Sequence, residues 1–285
     1  MTLVKDEDER GPKLKLVGTW GPEETAELNR SRIRRLEVNR AKGFRGETLD
    51  FLAEAGALDA LEVIDMTIRD IGGIHRQSSL IRLKLSTYDK SPVDLSAFPR
   101  LESCFLEWRT GADSVFSSSS LRELYINGFP DEDLQRVSSL ELLHSLRLGG
   151  CRRLLLSLSG VDRLRDLRDL GIYDAWKLTT LAGIDELGGH LTSLRLAVCR
   201  KVANLSPIES CRLLRRLDIS DMGTIDSLKP LDGLTDLEEL YFSGTTNIRD
   251  GDLDGIARLP RLRAVGYQNR RHYTHRREQL DDSWS

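Results

Sequence analysis

The chain has 285 residues, of which 39% are hydrophobic and 31% are charged, and its formal net charge at pH 7 is −3. This charge balance excludes the strongly basic field that attracts nucleic acid or anionic lipid. Leucine is unusually frequent, with 49 residues. The longest purely apolar run, the four residues from Leu196 to Cys199, is far shorter than the ~20 residues of a membrane-spanning helix. The first ten residues lack the apolar core of a secretion signal, so we expect a cytoplasmic protein without a membrane segment.

The N-terminal region is predicted to hold a tail and a cap. Residues 1–12 are rich in acidic side chains and are expected to form a mobile tail. Residues 13–17 alternate between charged and apolar side chains, as a strand does. Pro22 then follows Gly21 and precedes two glutamates, which is typical of a helix start. We therefore interpret residues 13–32 as a cap of one strand and one short helix over the end of a repeat array.

A seven-residue pattern, apolar-x-x-apolar-x-apolar-x, recurs along most of the chain. Successive copies are 20 to 25 residues apart, which indicates a tandem array. The last two apolar positions lie two residues apart, so each copy predicts a short strand with one apolar and one polar face. Such a strand is unstable alone, and stacked copies would form a parallel sheet. The eleven copies begin at Ile33, Leu58, Leu80, Leu101, Leu121, Leu143, Leu167, Leu191, Leu214, Leu237 and Leu262.

The segments between the strands carry a second period. Apolar residues fall at every third position, for example from Cys199 to Leu217. A period of three does not match the 3.6 residues per turn of an α-helix and favours 3-10 turns or extended chain. Residues 130–137 differ, because a proline followed by acidic residues is typical of a helix start. In this copy we expect a true helix behind the strand.

With these copies and spacings, the chain resembles the leucine-rich-repeat family, whose repeats of 20–29 residues each give one strand and one return segment. The resemblance covers residues 33–267, and the copies from Leu143 to Leu214 resemble the short internalin-like class of bacteria. It implies an α/β solenoid, a right-handed superhelix shaped as a horseshoe or arc. The concave side would be a parallel β-sheet of about eleven strands, and the convex side mostly 3-10 turns and short helices. The asparagine that the family often places after the strand is largely missing, and its position holds Met66, Cys151, Cys199, Met222 and Thr245.

Motifs for catalysis or nucleotide binding are missing from the sequence. It contains no G-x-S-x-G, G-x-G-x-x-G, G-x-x-x-x-G-K or H-E-x-x-H. Each of the four cysteines occupies a position where the repeat takes an apolar side chain, so we expect reduced thiols in the core. The sequence therefore predicts neither enzymatic activity nor a cofactor.

The C-terminal segment, residues 268–285, breaks the repeat and is expected to close the array. His272 and His275 are three residues apart, but no cysteine or close carboxylate completes a metal site. No metal is therefore expected. The arginines of this segment offer an alternative function, contact with a phosphate group. These alternative contacts are Arg271, Arg276 and Arg277.

The outward face of the predicted sheet is the main candidate site. Its middle position reads Glu37, Glu62, Lys84, Phe105, Tyr125, Arg147, Gly171, Arg195, Asp218, Tyr241 and Gly266. Exposed aromatic residues near arginine are typical of protein-binding hot spots. The other interpretation is that Phe105 and Tyr125 only stabilise the sheet as a cross-strand pair. The candidate contact residues are Phe105, Glu107, Trp108, Tyr125, Asn127, Arg147, Tyr173, Arg195, Asp218 and Tyr241.

These observations predict a non-enzymatic module that binds a protein partner on its concave face, as the resemblance also implies. Both an adaptor and an inhibitor or immunity protein fit, and the chain is expected to be monomeric when free. The mixed charges of the outward face disfavour nucleic acid as a partner. The alternative function is contact with a phosphate, nucleotide or RNA, or a role as an enzyme subunit, through the C-terminal Arg/His segment.

Overall fold

A computed structural model of the chain describes residues 3–152 and 154–280. The chain divides into two units, Met1–Ile126 and Asn127–Ser285. Short strands and 3-10 turns alternate in both units. The single α-helix of the described residues, α1, is Pro22–Arg30, with Pro22 in its first turn. No helix in this part of the chain is long and apolar enough to cross a bilayer.

The first unit begins with an antiparallel hairpin and continues as a parallel sheet. Its strand order is β1-β2-β3-β4-β5-β6-β7, so neighbours in the sheet are neighbours in the chain. β1 pairs antiparallel with β2, and the pairings from β2 to β6 are parallel. The strands are β1 Leu3–Asp8, β2 Gly11–Leu16, β3 Arg35–Asn39, β4 Ala60–Ile64, β5 Arg82–Ser86, β6 Ser103–Glu107 and β7 Glu123–Asn127.

The second unit repeats the parallel arrangement, with the order β8-β9-β10-β11-β13-β15 and a separate pair, β12 and β14. Its strands are β8 Ser145–Gly149, β9 Asp169–Tyr173, β10 Ser193–Ala197, β11 Arg216–Asp218, β12 Thr224–Ile225, β13 Glu239–Phe242, β14 Asn247–Ile248 and β15 Ala264–Tyr267. All eleven predicted repeat strands are confirmed in the described residues, as β3 to β11, β13 and β15. The N-terminal hairpin adds two strands to the sheet, of which β2 is parallel to β3 and β1 is antiparallel to β2.

In each unit, the apolar side chains of the repeats are buried and form the core. Leu217 and Ile219 have no exposed area, whereas Asp218 between them is partly exposed. This alternation is the period of two expected for a strand with one buried face. Because every strand is too short to be stable alone, burial against the next repeat supplies its stability.

The return segments are 3-10 turns, as their period of three predicts. The helix predicted at residues 130–137 is wrong, because the only helical segment there is the 3-10 turn Val137–Ser139. Leu134, Val137 and Leu140 are all buried. Apolar residues three apart share one side of a 3-10 turn, so burial of this row overrides the helix-start signal of the proline and the acidic residues.

The N-terminal segment is a strand and not the mobile tail predicted from its charge. Leu3 is buried in β1, and the acidic residues of the strand meet basic partners. Asp8 binds Arg35 at 2.8 Å, and Asp6 lies 3.4 Å from Lys15. The hydrogen bond from Arg35 lowers the pKa of the Asp8 carboxyl to about 2. The expected cap elements at residues 13–32 correspond to β2 and α1.

A left-handed residue follows the strand in six successive repeats. Glycine fills this position three times, as Gly128, Gly150 and Gly244, and its lack of a Cβ makes the conformation easy to adopt. The other three repeats place larger side chains there, at Asp174, Val198 and Asp221, with φ of 57°, 59° and 55°. A β-branched residue such as valine pays the highest steric cost in this region.

The described part of the C-terminal segment, up to residue 280, packs against the last repeats. Tyr273 lies edge-on to Tyr267, with ring centroids 5.8 Å apart, and its hydroxyl accepts a hydrogen bond from the Ile248 amide at 3.0 Å. Thr274 bonds to Gly251 through its amide and to the Leu253 amide through its hydroxyl. The rest of the predicted closing segment, residues 281–285, lies outside the described residues.

Candidate functional site

The residues predicted at the middle outward position of neighbouring strands are paired with each other in the strand register. In the first unit, the register aligns Glu37, Glu62, Lys84 and Phe105. In the second unit, it aligns Arg147, Gly171, Arg195, Asp218, Tyr241 and Gly266. Neighbouring strands lie about 4.8 Å apart, so each row forms a continuous line of side chains on its unit.

Phe105 and Tyr125 form the aromatic centre of the first unit's outward face. Their ring centroids are 4.3 Å apart with planes tilted by 45°, and both side chains are partly exposed. The ammonium group of Lys84 lies 5.6 Å from the centroid of the Phe105 ring and also contacts Glu62 at 2.5 Å. The pair therefore stiffens the sheet as a cross-strand contact and still offers aromatic surface to solvent.

Glu107 and Trp108 stand where β6 ends. Glu107 is partly exposed, and its backbone carbonyl accepts a hydrogen bond from Arg109 at 3.2 Å. Trp108 is partly exposed and lies beside Phe116, with ring centroids 6.0 Å apart. Trp108 is therefore tied to the 3-10 turn Ala112–Ser117 as well as to the strand end.

A buried ion pair that the sequence analysis missed fixes the loop before β6. Arg109 and Asp89 approach to 3.4 Å, with side chains only 1% and 5% exposed. Arg109 also donates to the hydroxyl and the carbonyl of Thr87. Between these anchors Tyr88 is 72% exposed. The signal in the sequence was the arginine itself, since the repeat takes an apolar residue at that position.

At the first end of the row, Glu37 is buried and not exposed as expected for an outward residue. Lys13 contacts its carboxylate at 2.8 Å and Lys42 at 2.7 Å. Burial alone would raise the pKa of Glu37, but hydrogen bonds from these two lysines outweigh burial and lower that pKa to about 2. This position serves the attachment of β2 to β3 and is closed to a partner.

Arg147 and Tyr173 shape the first strands of the second unit's face. Arg147 binds Asp169 at 2.7 Å. Burial opposes ionisation of Asp169, yet the hydrogen bond from Arg147 prevails and lowers the pKa of that carboxyl. The Tyr173 ring lies over Gly171, where a Cβ would come within 2.8 Å of Tyr173 Cε2. Gly171 is therefore required for this ring position.

Asp218 and Tyr241 occupy the later strands. Asp218 accepts hydrogen bonds from the amide and the hydroxyl of Ser220, at 3.1 and 2.7 Å. Tyr241 lies 5.1 Å from the guanidinium of Arg216, which is itself paired with Glu239. Arg147 and Arg216 are thus both compensated by a carboxylate on the adjacent strand.

Arg195 and Asn127 are the remaining predicted contact residues. Arg195 is partly exposed between Gly171 and Asp218 in the register. Its Nε atom is buried and has no hydrogen-bond partner among the described residues. Asn127 is partly exposed at the end of β7, and its Oδ1 lies where a side chain at Gly150 would collide with it.

The C-terminal arginines lie among local contacts. The Arg276 amide donates to Gln279 at 2.6 Å, and Arg277 lies 3.8 Å from Glu278, while Arg271 is exposed. The two histidines of this segment have separate partners, His272 the Ile248 carbonyl and His275 the Asp254 carboxylate. Across residues 3–152 and 154–280, no group of three or more histidine, cysteine, aspartate or glutamate residues could hold a metal ion. Phosphate contact through Arg271, Arg276 and Arg277 stays a prediction.

All four cysteines are free and buried. Burial raises the pKa of the Cys104, Cys151 and Cys199 thiols to about 12 and that of Cys211 to about 11. Cys199 Sγ lies 3.6 Å from the Ile172 carbonyl of the neighbouring repeat. These thiols are held in the protonated form and act as small core side chains.

Comparisons with known proteins identify the fold. No family model matches the chain, and no curated protein matches it. Among solved structures, internalin C2 of Listeria monocytogenes is 16% identical with a TM-score of 0.56, covering 77% of this chain and 90% of that one. A leucine-rich-repeat protein of Leptospira interrogans is 17% identical with a TM-score of 0.56, covering 90% and 78%.

A plant peptide hormone receptor, RGFR1 in complex with RGF2, is 16% identical with a TM-score of 0.50 and covers 93% of this chain and 40% of that one. The similarity to these structures and the parallel sheet with 3-10 returns show that the chain has the leucine-rich-repeat fold. The short internalin-like repeats predicted from the sequence agree with this result.

Proposed function

We propose that this chain is a non-enzymatic module that binds a protein partner on the outward face of its parallel strands. The observation that carries the proposal is the Phe105–Tyr125 pair, two aromatic rings 4.3 Å apart that remain partly exposed on a rigid sheet. A few residues supply most of the binding energy in protein interfaces, and aromatic side chains shielded from water by their neighbours are frequent among them. The solved complex of a plant peptide hormone receptor with the same fold supports the same kind of role.

Charged residues on the outward face of each unit would orient the partner. In the first unit these are Lys84, Glu62 and Glu107, and in the second unit Arg147, Arg195 and Asp218. Their mixed signs favour a partner surface with matching patches over a uniformly charged polymer. Trp108, Asn127, Tyr173 and Tyr241 complete the proposed contact residues.

The cellular role that we propose is that of an adaptor or of an inhibitor or immunity protein in a reducing compartment such as the cytoplasm. Four free, buried cysteines support a reducing compartment, because oxidising ones favour disulfides. The two roles differ in the fate of the bound protein, since an inhibitor abolishes its activity and an adaptor does not. Measuring the activity of the captured protein with and without this chain would separate them.

The test is capture of a partner from host lysate by the wild type and by a Phe105→Ala/Tyr125→Ala double variant. Leu213→Ala is the matched control, because Leu213 is an apolar residue with 44% exposure on a return segment. Circular dichroism would verify that all three proteins are folded. We expect one protein to be captured by wild type and control, with at least about tenfold less on the double variant, as for a typical hot-spot pair.

Equal capture by all three proteins would contradict the proposed site and leave the aromatic pair with its stabilising role alone. Loss of capture by Leu213→Ala would instead place the contact on the return segments. The affinity of a purified partner for each variant, measured by calorimetry, would give the size of either effect.

A further inference from the structure

The second unit carries an apolar cavity away from the outward face of the strands. It has a volume of about 380 Å³ and opens among the turns that follow β7, β8 and β9. Its floor is formed by Phe129 and Cys151, which are each 1% exposed. Leu154 and Trp176 line its wall and are 43% and 45% exposed. Exposed apolar side chains beside an unfilled apolar cavity are typical of a binding surface.

Backbone geometry keeps the cavity open. Gly128 and Gly150 line it in the left-handed conformation, with φ of 79° and 61°. A Cβ at Gly150 would lie only 2.9 Å from the Gly128 amide nitrogen. The two turns therefore approach closely without side chains, and the space above Phe129 and Cys151 stays free for another group.

Basic side chains surround Trp176 because of the repeat register. Leu148 pairs with Ile172, and Tyr173 pairs with Ala197. The same offsets place Arg152 and Arg200 at the positions equivalent to Trp176 in the repeats before and after it. Neighbouring repeats are about 4.8 Å apart, so the tryptophan lies between two arginines.

Lys177 and Lys201 add a second pair of cations, one residue further along the same two repeats. The side chains of Arg152, Lys177, Arg200 and Lys201 are all exposed, and none has a hydrogen bond or ion pair with another described residue. Glu132 and Asp174 are acidic residues on the same turns. These four cations are clustered on a chain whose net charge is −3, and we call the four cations, Trp176 and the cavity the basic edge.

We propose that the basic edge is a second protein-binding surface, which takes an acidic peptide segment carrying one apolar anchor residue. The anchor side chain would enter the cavity against Phe129, Leu154 and Trp176. Acidic residues flanking the anchor would pair with the unpaired cations on both sides of the tryptophan. A recessed cavity favours an inserted side chain over a lipid surface, which instead needs protruding apolar groups. This surface shares no residue with the outward face, so the inference is independent of the function proposed above.

The test begins with a random 12-residue peptide display library panned on the whole chain. We expect enrichment of peptides with net negative charge and one fixed apolar position. A fluorescent copy of the best peptide, titrated in an anisotropy assay, should bind at least about tenfold more weakly to Trp176→Ala, as expected when an aromatic hot-spot residue is removed. A similar loss is expected when Arg152, Lys177, Arg200 and Lys201 are all changed to glutamine.

Matched variants control for surface changes elsewhere in the same unit. Leu213→Ala removes an apolar side chain of nearly the same exposure, and glutamine at Arg163, Arg165, Lys229 and Arg258 removes four other exposed cations. Both should bind the peptide as the wild type does. A copy of the peptide with serine at the anchor position should also lose about tenfold in affinity.

Three results would overturn the proposal. The library enriches no acidic peptides, or the selected peptide ignores Trp176 and the four cations, or the serine copy binds as well as the original. Co-sedimentation with phosphatidylserine–phosphatidylcholine vesicles is the final arm. Vesicle binding that depends on Trp176 and the cations, without peptide binding, would assign the basic edge to a membrane surface instead.

Discussion

A single hydroxyl links two repeats of the second unit. Thr246 is buried, donates to the Ile219 carbonyl at 2.7 Å and accepts from the Met222 amide at 2.9 Å. The sequence analysis placed Thr245 at the position where the family often has asparagine, but Thr245 is exposed. The two residues have identical side chains, so only the path of the turn decides which hydroxyl reaches the neighbouring backbone.

Thr246→Val should therefore lower the free energy of unfolding by about 1–3 kcal/mol, because it leaves a buried amide and a buried carbonyl without partners. Thr245→Val is the control and should change stability by less than about 0.5 kcal/mol, as usual for a surface position. Urea unfolding followed by circular dichroism measures both. Equal losses in the two variants would mean that the buried hydrogen bonds of the Thr246 hydroxyl do not stabilise the fold.

Val198 is the most strained residue among the left-handed turns. Its φ of 59° is a conformation that costs an L-residue roughly 1–2 kcal/mol and a β-branched one more. We expect Val198→Gly to raise the free energy of unfolding by about 1 kcal/mol, the relieved strain less the added entropy of glycine. Asp174→Gly should gain less, because aspartate tolerates this region better. The same urea titration would show a lower midpoint for Val198→Gly if the conformation carried no strain.

For single residues, the sequence correctly predicted the face of the sheet on which a strand side chain lies, because this follows from strand alternation. Phe105, Arg195 and Tyr241 lie on the outward face because strand residues alternate and the apolar neighbours must be buried. The prediction failed for Arg109 and Glu37, since each is buried by a partner that is distant in sequence. A charged residue is normally exposed, and only the fold brings Asp89 and Lys13 into contact with these two.

At the scale of elements, the N-terminal hairpin shows how charge pairing builds a strand. The acidic residues of β1 face Lys13, Lys15 and Arg35, none of which a local reading of residues 1–12 takes into account. Residues 130–137 show the opposite error. The local sequence predicts a helix start, but burial of apolar residues three apart favours a 3-10 turn there instead. Elements whose stability comes from distant partners cannot be predicted from their own composition.

The charge network of the hairpin predicts an acid-sensitive N-terminal region. The pKa of Glu37 is lowered to about 2 from an ordinary value of 4.5, so its ionised form stabilises the fold fully above about pH 5. This stability is lost as the pH falls from 4.5 towards 2. We expect Glu37→Gln to cost about 2 kcal/mol at pH 7 and to weaken the pH dependence in that window. Thermal unfolding at intervals from pH 7 to pH 2 measures both effects, and parallel curves for the two proteins would contradict the assignment.

For the whole molecule, the repeat period predicted the fold because the same seven-residue apolar pattern occurs eleven times in the sequence. Each copy alone is a weak signal, but the spacing of 20 to 25 residues leaves few other architectures. The basic edge was not predicted, although it is visible in the sequence when the repeats are aligned. Its residues fall at equivalent positions of three copies, as Cys-Arg-Arg-Leu, Ala-Trp-Lys-Leu and Cys-Arg-Lys-Val.

The four cysteines report on the integrity of the complete fold. Each thiol is buried and has a pKa raised by burial, and only the exposed thiolate reacts with disulfide reagents. We expect no reaction with Ellman's reagent at pH 8 in the native protein and reaction of all four thiols in denaturant. A thiol that reacts under native conditions would indicate local opening of its repeat, and peptide mapping would identify it.

The antiparallel hairpin also has a consequence for self-association. Without β1, strand β2 would present a bare parallel edge, onto which a strand of another molecule could stack in the same direction. β1 occupies that edge and shows the exposed charges of Lys5 and Glu7 along its own length, which disfavour further strand pairing. We therefore expect that the first unit does not form filaments by adding strands at this edge, even in concentrated solution. The charged residues of β1 would end the sheet at this edge.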